Sequence, residues 1–299
     1  MFLGNSLRNN NHYEMWRQQY LFSFFIKQLM NILSLFDGIS CAKVALHKCK
    51  LHINQYFSSE IDKYAIIISN NNHKDIIRLG DIRQIDTKTL PKIDILIGGS
   101  PCQDLSISKQ NRKGLQGSRS VLFYEYCRIL NEINPRYFIL ENVASMSKVD
   151  KEIISQELKV QPILLDASLV SAQRRKRLFW TNIKNIQLPH DRNISLQSIL
   201  EDGTALYNKS YCIDANYYKG GPVSKIEYKL KNNLPRSQIE NRIMVKNNGG
   251  SYRKLTPIEC ERLQGLPDNY TYGVSNTQRY KCLGNAFNVD IVTHILSYL

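Results

Sequence analysis

The residue whose neighbours best suit it for chemistry is Cys102. It stands in Gly98-Gly99-Ser100-Pro101-Cys102-Gln103, directly after the apolar run Ile93-Asp94-Ile95-Leu96-Ile97. Ile and Leu broken by a single Asp read as a buried parallel strand, and two glycines followed by Ser-Pro end it abruptly. The thiol is left on a loop beyond the strand tip, where open α/β sheets place their ligand crevice. Most free cysteines are small buried hydrophobes, so Cys102 needs a partner before it means anything. Another apolar run, Tyr137-Phe138-Ile139-Leu140, ends in Glu141-Asn142-Val143 and offers a carboxyl at a second tip. A nucleophile and a proton donor in one crevice suit covalent catalysis on an electrophilic ring or carbonyl. The basic run Arg174-Arg175-Lys176-Arg177 directly precedes the apolar Leu178-Phe179-Trp180. Basic runs are usually solvated faces, but one that abuts a strand is well placed to clamp phosphate or substrate.

Positioning these groups requires alternating strands and helices, and the chain reads that way from Asn31. Ile32-Leu33-Ser34-Leu35-Phe36 is predicted as a strand, Asp37-Gly38 as a turn and Ser40 to Lys48 as a helix. Gln55 to Glu60 follows as a strand with an acid at its tip, then a helix from Asp62 toward Asn70. A carboxylate there can accept both hydroxyl hydrogens of a ribose. Gly80-Asp81-Ile82 closes a further strand-like piece, with Asp81 placed for an exocyclic amine and Ile82 for a ring face. Leu122, Tyr126, Ile129 and Ile133 fall at helical spacing before Pro135, which ends the helix.

With 299 residues the chain can bury one large core, with or without a smaller companion domain. Forty basic residues against 26 acidic give a formal charge of +14, which favours a polyanionic partner. Seven scattered cysteines include no Cys-x-x-Cys pair, and no His cluster accompanies them at zinc spacing. Neither a disulfide framework nor a metal site is therefore expected, and a reducing cytoplasm fits. The apolar cluster Tyr20 to Ile26 is far short of the ~20 residues of a spanning helix. Residues 1–29 form an Asn-rich extension of different character, and Met30 is a candidate start of translation.

Taken together and in order, Phe36-Asp37-Gly38, Glu60, Asp81, Gly99-Ser100-Pro101-Cys102-Gln103, Glu141-Asn142-Val143, Gln173-x-Arg175-x-Arg177, Arg253 to Asp268 and Gly284-Asn285-Ala286 resemble the motifs of the cytosine-5 DNA methyltransferases. Phe-Asp-Gly, and Arg112-Lys113-Gly114-Leu115 after the cysteine loop, are closest in wording to the de novo subgroup of animals. The resemblance implies an α/β, Rossmann-like S-adenosylmethionine domain beside a small target-recognition domain, with duplex DNA in the cleft. It implies that Phe36, Asp37, Gly38, Glu60, Asp81, Ile82, Pro101, Leu122 and Asn285 hold the cofactor. Cys102 is implied as the nucleophile toward cytosine C6, Glu141 as the proton holder at N3, Arg175 as the contact to O2 and Arg177 as its support. Gln103, Gln173 and Arg253 are implied at the substrate, Gln173 in a more structural role. One departure stands out: Ser40 occupies the second glycine position of the family's Phe-x-Gly-x-Gly turn.

By this resemblance residues 30–181 and 252–299 make the catalytic domain and 182–251 the target-recognition domain. Tyr217-Tyr218-Lys219, Arg236 and Arg242 are candidate DNA contacts within the latter. Thr256, Pro257 and Glu259 together spell a capped helix start. The protein is expected to act as a monomer in the cytoplasm of a bacterium or phage-infected host, without metal or membrane, and with a cognate restriction endonuclease as a candidate partner. Two alternatives stay open: a tRNA cytosine methyltransferase on the same framework, and a catalytically silent DNA-binding protein of this fold.

Overall fold

The computed structural model describes residues 29–100, 122–219, 223–235 and 240–299. Pro101, Cys102, Gln103 and Arg236 lie outside the described residues, as do residues 1–28. Strands β1 (Met30–Leu35), β2 (Ile53–Ser59), β3 (Ile76–Arg78), β4 (Ile95–Gly98), β5 (Tyr137–Val143), β6 (Ile163–Asp166) and β7 (Lys176–Thr181) form one seven-stranded sheet of order β3-β2-β1-β4-β5-β7-β6. The first five are parallel, and β7 runs antiparallel between β5 and β6. This reversal matters for the site: an antiparallel strand begins where its parallel neighbours end. The start of β7 therefore meets the tip of β5, with Arg177 opposite Val143.

Strand side chains alternate between faces. Ile32, Ile95, Ile97 and Ile139 pack with Ala42, Ala45 and Leu46 of α1 (Cys41–Lys48) and Ile68 of α2 (Lys63–Asn72). Leu33, Leu35, Leu96 and Leu140 pack on the opposite face with Phe123, Tyr126 and Ile129 of α3 (Leu122–Ile133) and Ile154 of α4 (Lys148–Leu158). The sequence alternates strand with helix because each strand needs cover on both sides, which right-handed crossovers supply. Asp62 caps α2 by accepting from the amides of Tyr64 and Ala65, a contribution of about 1 kcal/mol.

After β7 the chain leaves the main sheet and builds a small antiparallel one, β8 (Thr204–Ala205), β9 (Ile243–Lys246) and β10 (Tyr252–Lys254), with α5 (Val223–Lys231) inserted. Because β10 pairs with β9, a boundary between residues 251 and 252 cuts this sheet. The chain then returns through α6 (Pro257–Leu263), α7 (Asn276–Asn285) and α8 (Val289–Leu296). Thr256 accepts from the Glu259 amide while Glu259 accepts from the Thr256 amide, the expected capping box. Helix α8 packs on α1, so both ends of the described chain complete one body. No helix among the described residues is long and apolar enough to cross a membrane.

Candidate active site

A cavity of about 270 Å³ opens at the carboxyl tips of the parallel strands. One end is made by the turn after β1. Phe36, Gly38 and Ser40 all take positive φ, at 55°, 58° and 62°, so the backbone doubles back and turns the Gly38 amide toward Glu60. The Gly38 amide donates to Glu60 Oε2 at 2.7 Å, and the amides of Ile61 and Asp62 donate to Oε1 at 2.7 and 2.8 Å. Burial pushes the Glu60 carboxyl up while these amides pull it back down. Asp81 caps the short turn Ile82–Gln84. Its hydrogen bonds with Arg83, at 2.5 Å from Oδ2 to the guanidinium, hold its carboxyl below the usual range.

Phe36, Ile82 and Leu122 supply apolar walls between these two acids. Apolar walls with a few convergent carboxylates fit a nucleoside: ring faces meet the hydrocarbon, and the hydroxyls and amine meet oxygen. Asn285 lies on the rim, contributed by the returning chain. Asp37 lines the same cavity, yet its carboxylate is spent internally, accepting from Ser40 Oγ, Tyr56 Oη and Ser58 Oγ at 2.5, 2.7 and 2.8 Å. Ile61 and Phe287 also line the cavity and were not singled out from sequence. Their positions just beyond Glu60 and Asn285 are the signal that finds them.

The same cavity runs on to Glu141 and Arg177. Arg177 Nε lies 2.8 Å from Glu141 Oε1, both side chains being largely shielded at 16% and 14% exposure. Beside them Asn142 Nδ2 donates to Ser100 Oγ at 3.1 Å and more weakly to its carbonyl at 3.3 Å. The tip of β5 is thus tied to the stem of the segment that carries Cys102. Packing here is tight: a Cβ added at Gly99 would sit 2.6 Å from Phe287 Cε1 and 3.3 Å from Glu141 Oε2.

A profile for C-5 cytosine-specific DNA methylase matches residues 30–205 and 189–299. The chain belongs to that family. It is 30% identical over 297 residues to type II methyltransferase M1.ScrFI of Lactococcus lactis subsp. cremoris, covering 87% of this chain and 75% of that protein. Type II methyltransferase M.NlaX of Neisseria lactamica is 29% identical over 302 residues, covering 89% of this chain and 95% of that one. In fold the cytosine methylase is similar to the Entamoeba histolytica methyltransferase EhMeth, with a TM-score of 0.69 at 18% identity, covering 91% and 98% of the two chains. The family's methyl donor is S-adenosylmethionine, which the walls and carboxylates of the cavity suit.

Three residues expected at the substrate, Arg175, Gln173 and Arg253, have polar atoms engaged within the protein. Arg175, expected at cytosine O2, lines the cavity with Glu141 and Arg177 but is only 3% exposed. It staples three segments, its Nη1 donating to the Ile213 carbonyl at 3.0 Å and its Nη2 to the carbonyls of Gly284 and Ala286 at 3.2 and 2.8 Å. Arg177, two residues on, is the one that faces Glu141. Gln173 is fully buried, accepting from the Ile213 amide. Arg253, expected at substrate, is gripped by both Glu259 oxygens at 2.7 and 2.8 Å and by Asp202 at 2.6 Å. A guanidinium so neutralised has little charge left for a phosphate.

Two of the suggested DNA contacts are also internal. Tyr217 is 1% exposed, with its hydroxyl on the Arg242 carbonyl. Arg242 is itself buried and bound to both Asp214 oxygens at 3.0 and 2.9 Å. Tyr218 is half-buried and Lys219 exposed, its ammonium 5.7 Å from the Tyr218 ring centroid.

Proposed function

We propose that this cytosine-5 methyltransferase acts on duplex DNA, as a DNA (cytosine-5-)-methyltransferase, through an adduct between Cys102 and cytosine C6. The observation that carries the reading is the continuity of one cavity from Glu60 and Asp81 to Glu141 and Arg177. The nucleoside end and the proton-handling end are parts of one hollow. A base stacked in a duplex cannot offer its face to a thiol, so the target must be extruded, at a cost of a few kcal/mol. The +14 charge supports a polyanionic substrate, whose phosphate contacts offset that cost.

S-adenosylmethionine, when bound, supplies an electrophilic methyl carbon on a sulfonium. Cytosine C5 is a poor nucleophile toward it until the ring is activated. The Cys102 thiolate adds its electron pair to C6, the C5–C6 π bond opens, and charge passes into the ring toward N3. Glu141 holds a proton at N3 to absorb that charge, and Arg177 fixes the orientation of the Glu141 carboxyl. C5 then carries the electron density needed to take the methyl group. Water-borne base removes the C5 proton, the C5–C6 double bond re-forms and Cys102 leaves as thiolate. A thiol of reference pKa about 8.5 is little ionised at neutral pH, so the loop must present it close to the ring.

The assignment extends to a monomer in the cytoplasm of a bacterium or phage-infected host, paired with a cognate restriction endonuclease. The type II methyltransferases among its relatives favour that setting. Bisulfite sequencing of a plasmid from expressing cells tests the DNA assignment. Protected cytosines in one sequence context support it. Labelled-methyl transfer to tRNA but not to duplex DNA would replace it with the RNA reading.

A further inference from the structure

Ser40 stands where many members of the family carry glycine, and its surroundings show what replaces the lost freedom. Its backbone is left-handed, at φ 62° and ψ 36°, a conformation that a Cβ disfavours. The Ser40 hydroxyl donates to Asp37 Oδ2 at 2.5 Å and lies against Ser69 Oγ of α2. Asp37 also accepts from Tyr56 and Ser58 of β2 and faces Arg78 of β3 at 3.9 Å. Arg78 in turn donates to Ser58 Oγ at 3.0 Å and to Ser69 Oγ at 2.6 Å. Ser40, Ser58 and Ser69 are fully buried and Asp37 nearly so. A closed polar network under the cavity floor thus ties the turn after β1 to β2, β3 and α2.

We propose that Ser40 and Asp37 are positioning residues for the cofactor: their buried hydroxyl–carboxylate pair holds the turn that sets Phe36 and the Gly38 amide against the cavity. This rests on reading the cavity as the S-adenosylmethionine site. The pair reverses the usual rule for such a position. Glycine normally relaxes a left-handed residue, but here it removes a donor from a buried carboxylate, which costs more than the strain it relieves.

The test is calorimetric titration with S-adenosylhomocysteine, the unreactive product, of the wild type, Ser40→Gly, Asp37→Asn and the double variant. Each single change is expected to weaken binding about tenfold, and the double by no more than about twofold beyond the weaker single, because the residues act as one unit. Turnover of Ser40→Gly at saturating cofactor is expected to stay within about twofold of wild type, a KM effect without a kcat effect. Thermal unfolding without ligand checks that each variant folds; should Asp37→Asn fail, Ser40→Gly decides alone. Unchanged or tighter binding by Ser40→Gly, or additive losses in the double variant, would overturn the proposal. Glu60→Ala, measured in parallel, separates the two readings. Retained binding there overturns the cofactor assignment of the cavity. Lost binding there beside wild-type binding in Ser40→Gly overturns only the role of the pair.

Discussion

The two ends of the cavity are built in opposite ways. The nucleoside end is local: the turn after β1, Glu60 at the tip of β2 and Asp81 after β3 each sit where their own strand stops, and hydrogen bonds close mostly between neighbouring tips. The pyrimidine end is long-range. Glu141 of β5 meets Arg177 from an antiparallel strand, while Arg175 beside it reaches Ile213 in the small region and Gly284 and Ala286 in the returning chain. On the proposed function, cofactor binding would rest on a pre-formed sheet edge, whereas methyl transfer would rest on three distant segments being stapled together.

That contrast can be broken by substitution, and the largest effect is expected at the carboxyl. Glu141→Gln should lower kcat by about 10²–10⁴-fold, the usual worth of a positioned proton donor, with S-adenosylhomocysteine affinity unchanged. Steady-state kinetics beside calorimetry reads both, and a matching loss of cofactor affinity would merge the two ends into one. The neighbouring arginines should then separate. Arg177→Ala is expected to cost catalysis with little change in unfolding. Arg175→Ala should destabilise by on the order of 3 kcal/mol, because it leaves buried carbonyls without their charged donor. Thermal denaturation of both variants decides, and equal stability losses would contradict the division of labour.

The seam between the small region and the body offers a sharper probe. A Cβ at Gly284 would come within 2.1 Å of the Asp214 carbonyl carbon. Gly284→Ala should therefore weaken methyl transfer, at a stability cost of about 1–3 kcal/mol from overpacking. The smallest effect is expected at Arg253. Arg253→Ala should cost about 1–2 kcal/mol by releasing Glu259 and Asp202, while the slope of DNA affinity against salt stays constant. A slope reduced by about one unit would restore the phosphate contact that the motif suggests.

What was legible in the sequence follows the same division. The strand tips, the acids upon them and the capped helix at Thr256 were readable because periodicity, turn residues and caps are written within a few positions. The buried state of Tyr217 and Arg242 was not, since Tyr and Arg in a stretch rich in Asn and Lys read as surface until Asp214 and Leu255 are brought to them by the fold. Arg175 and Arg177 are likewise indistinguishable in the sequence, two arginines of one basic run at the start of a strand. Both line the cavity, and what separates them is the returning chain, whose carbonyls engage Arg175 while Arg177 pairs with Glu141. Ser40 carried a usable signal, a missing glycine, but its compensation lies in Ser69 and Arg78, remote in sequence.

The central claim, that one hollow brings a thiol, a carboxyl and a methyl donor to a single extruded cytosine, is tested most directly by trapping. Duplex DNA carrying 5-fluorocytosine at the methylated position, incubated with the protein and S-adenosylmethionine, cannot lose a C5 proton after methyl transfer, so the thiol stays bound. Peptide mass spectrometry should find the methylated base attached to Cys102, and only when the methyl donor is present. An adduct on another residue, or methylated DNA with no adduct formed at all, would contradict it.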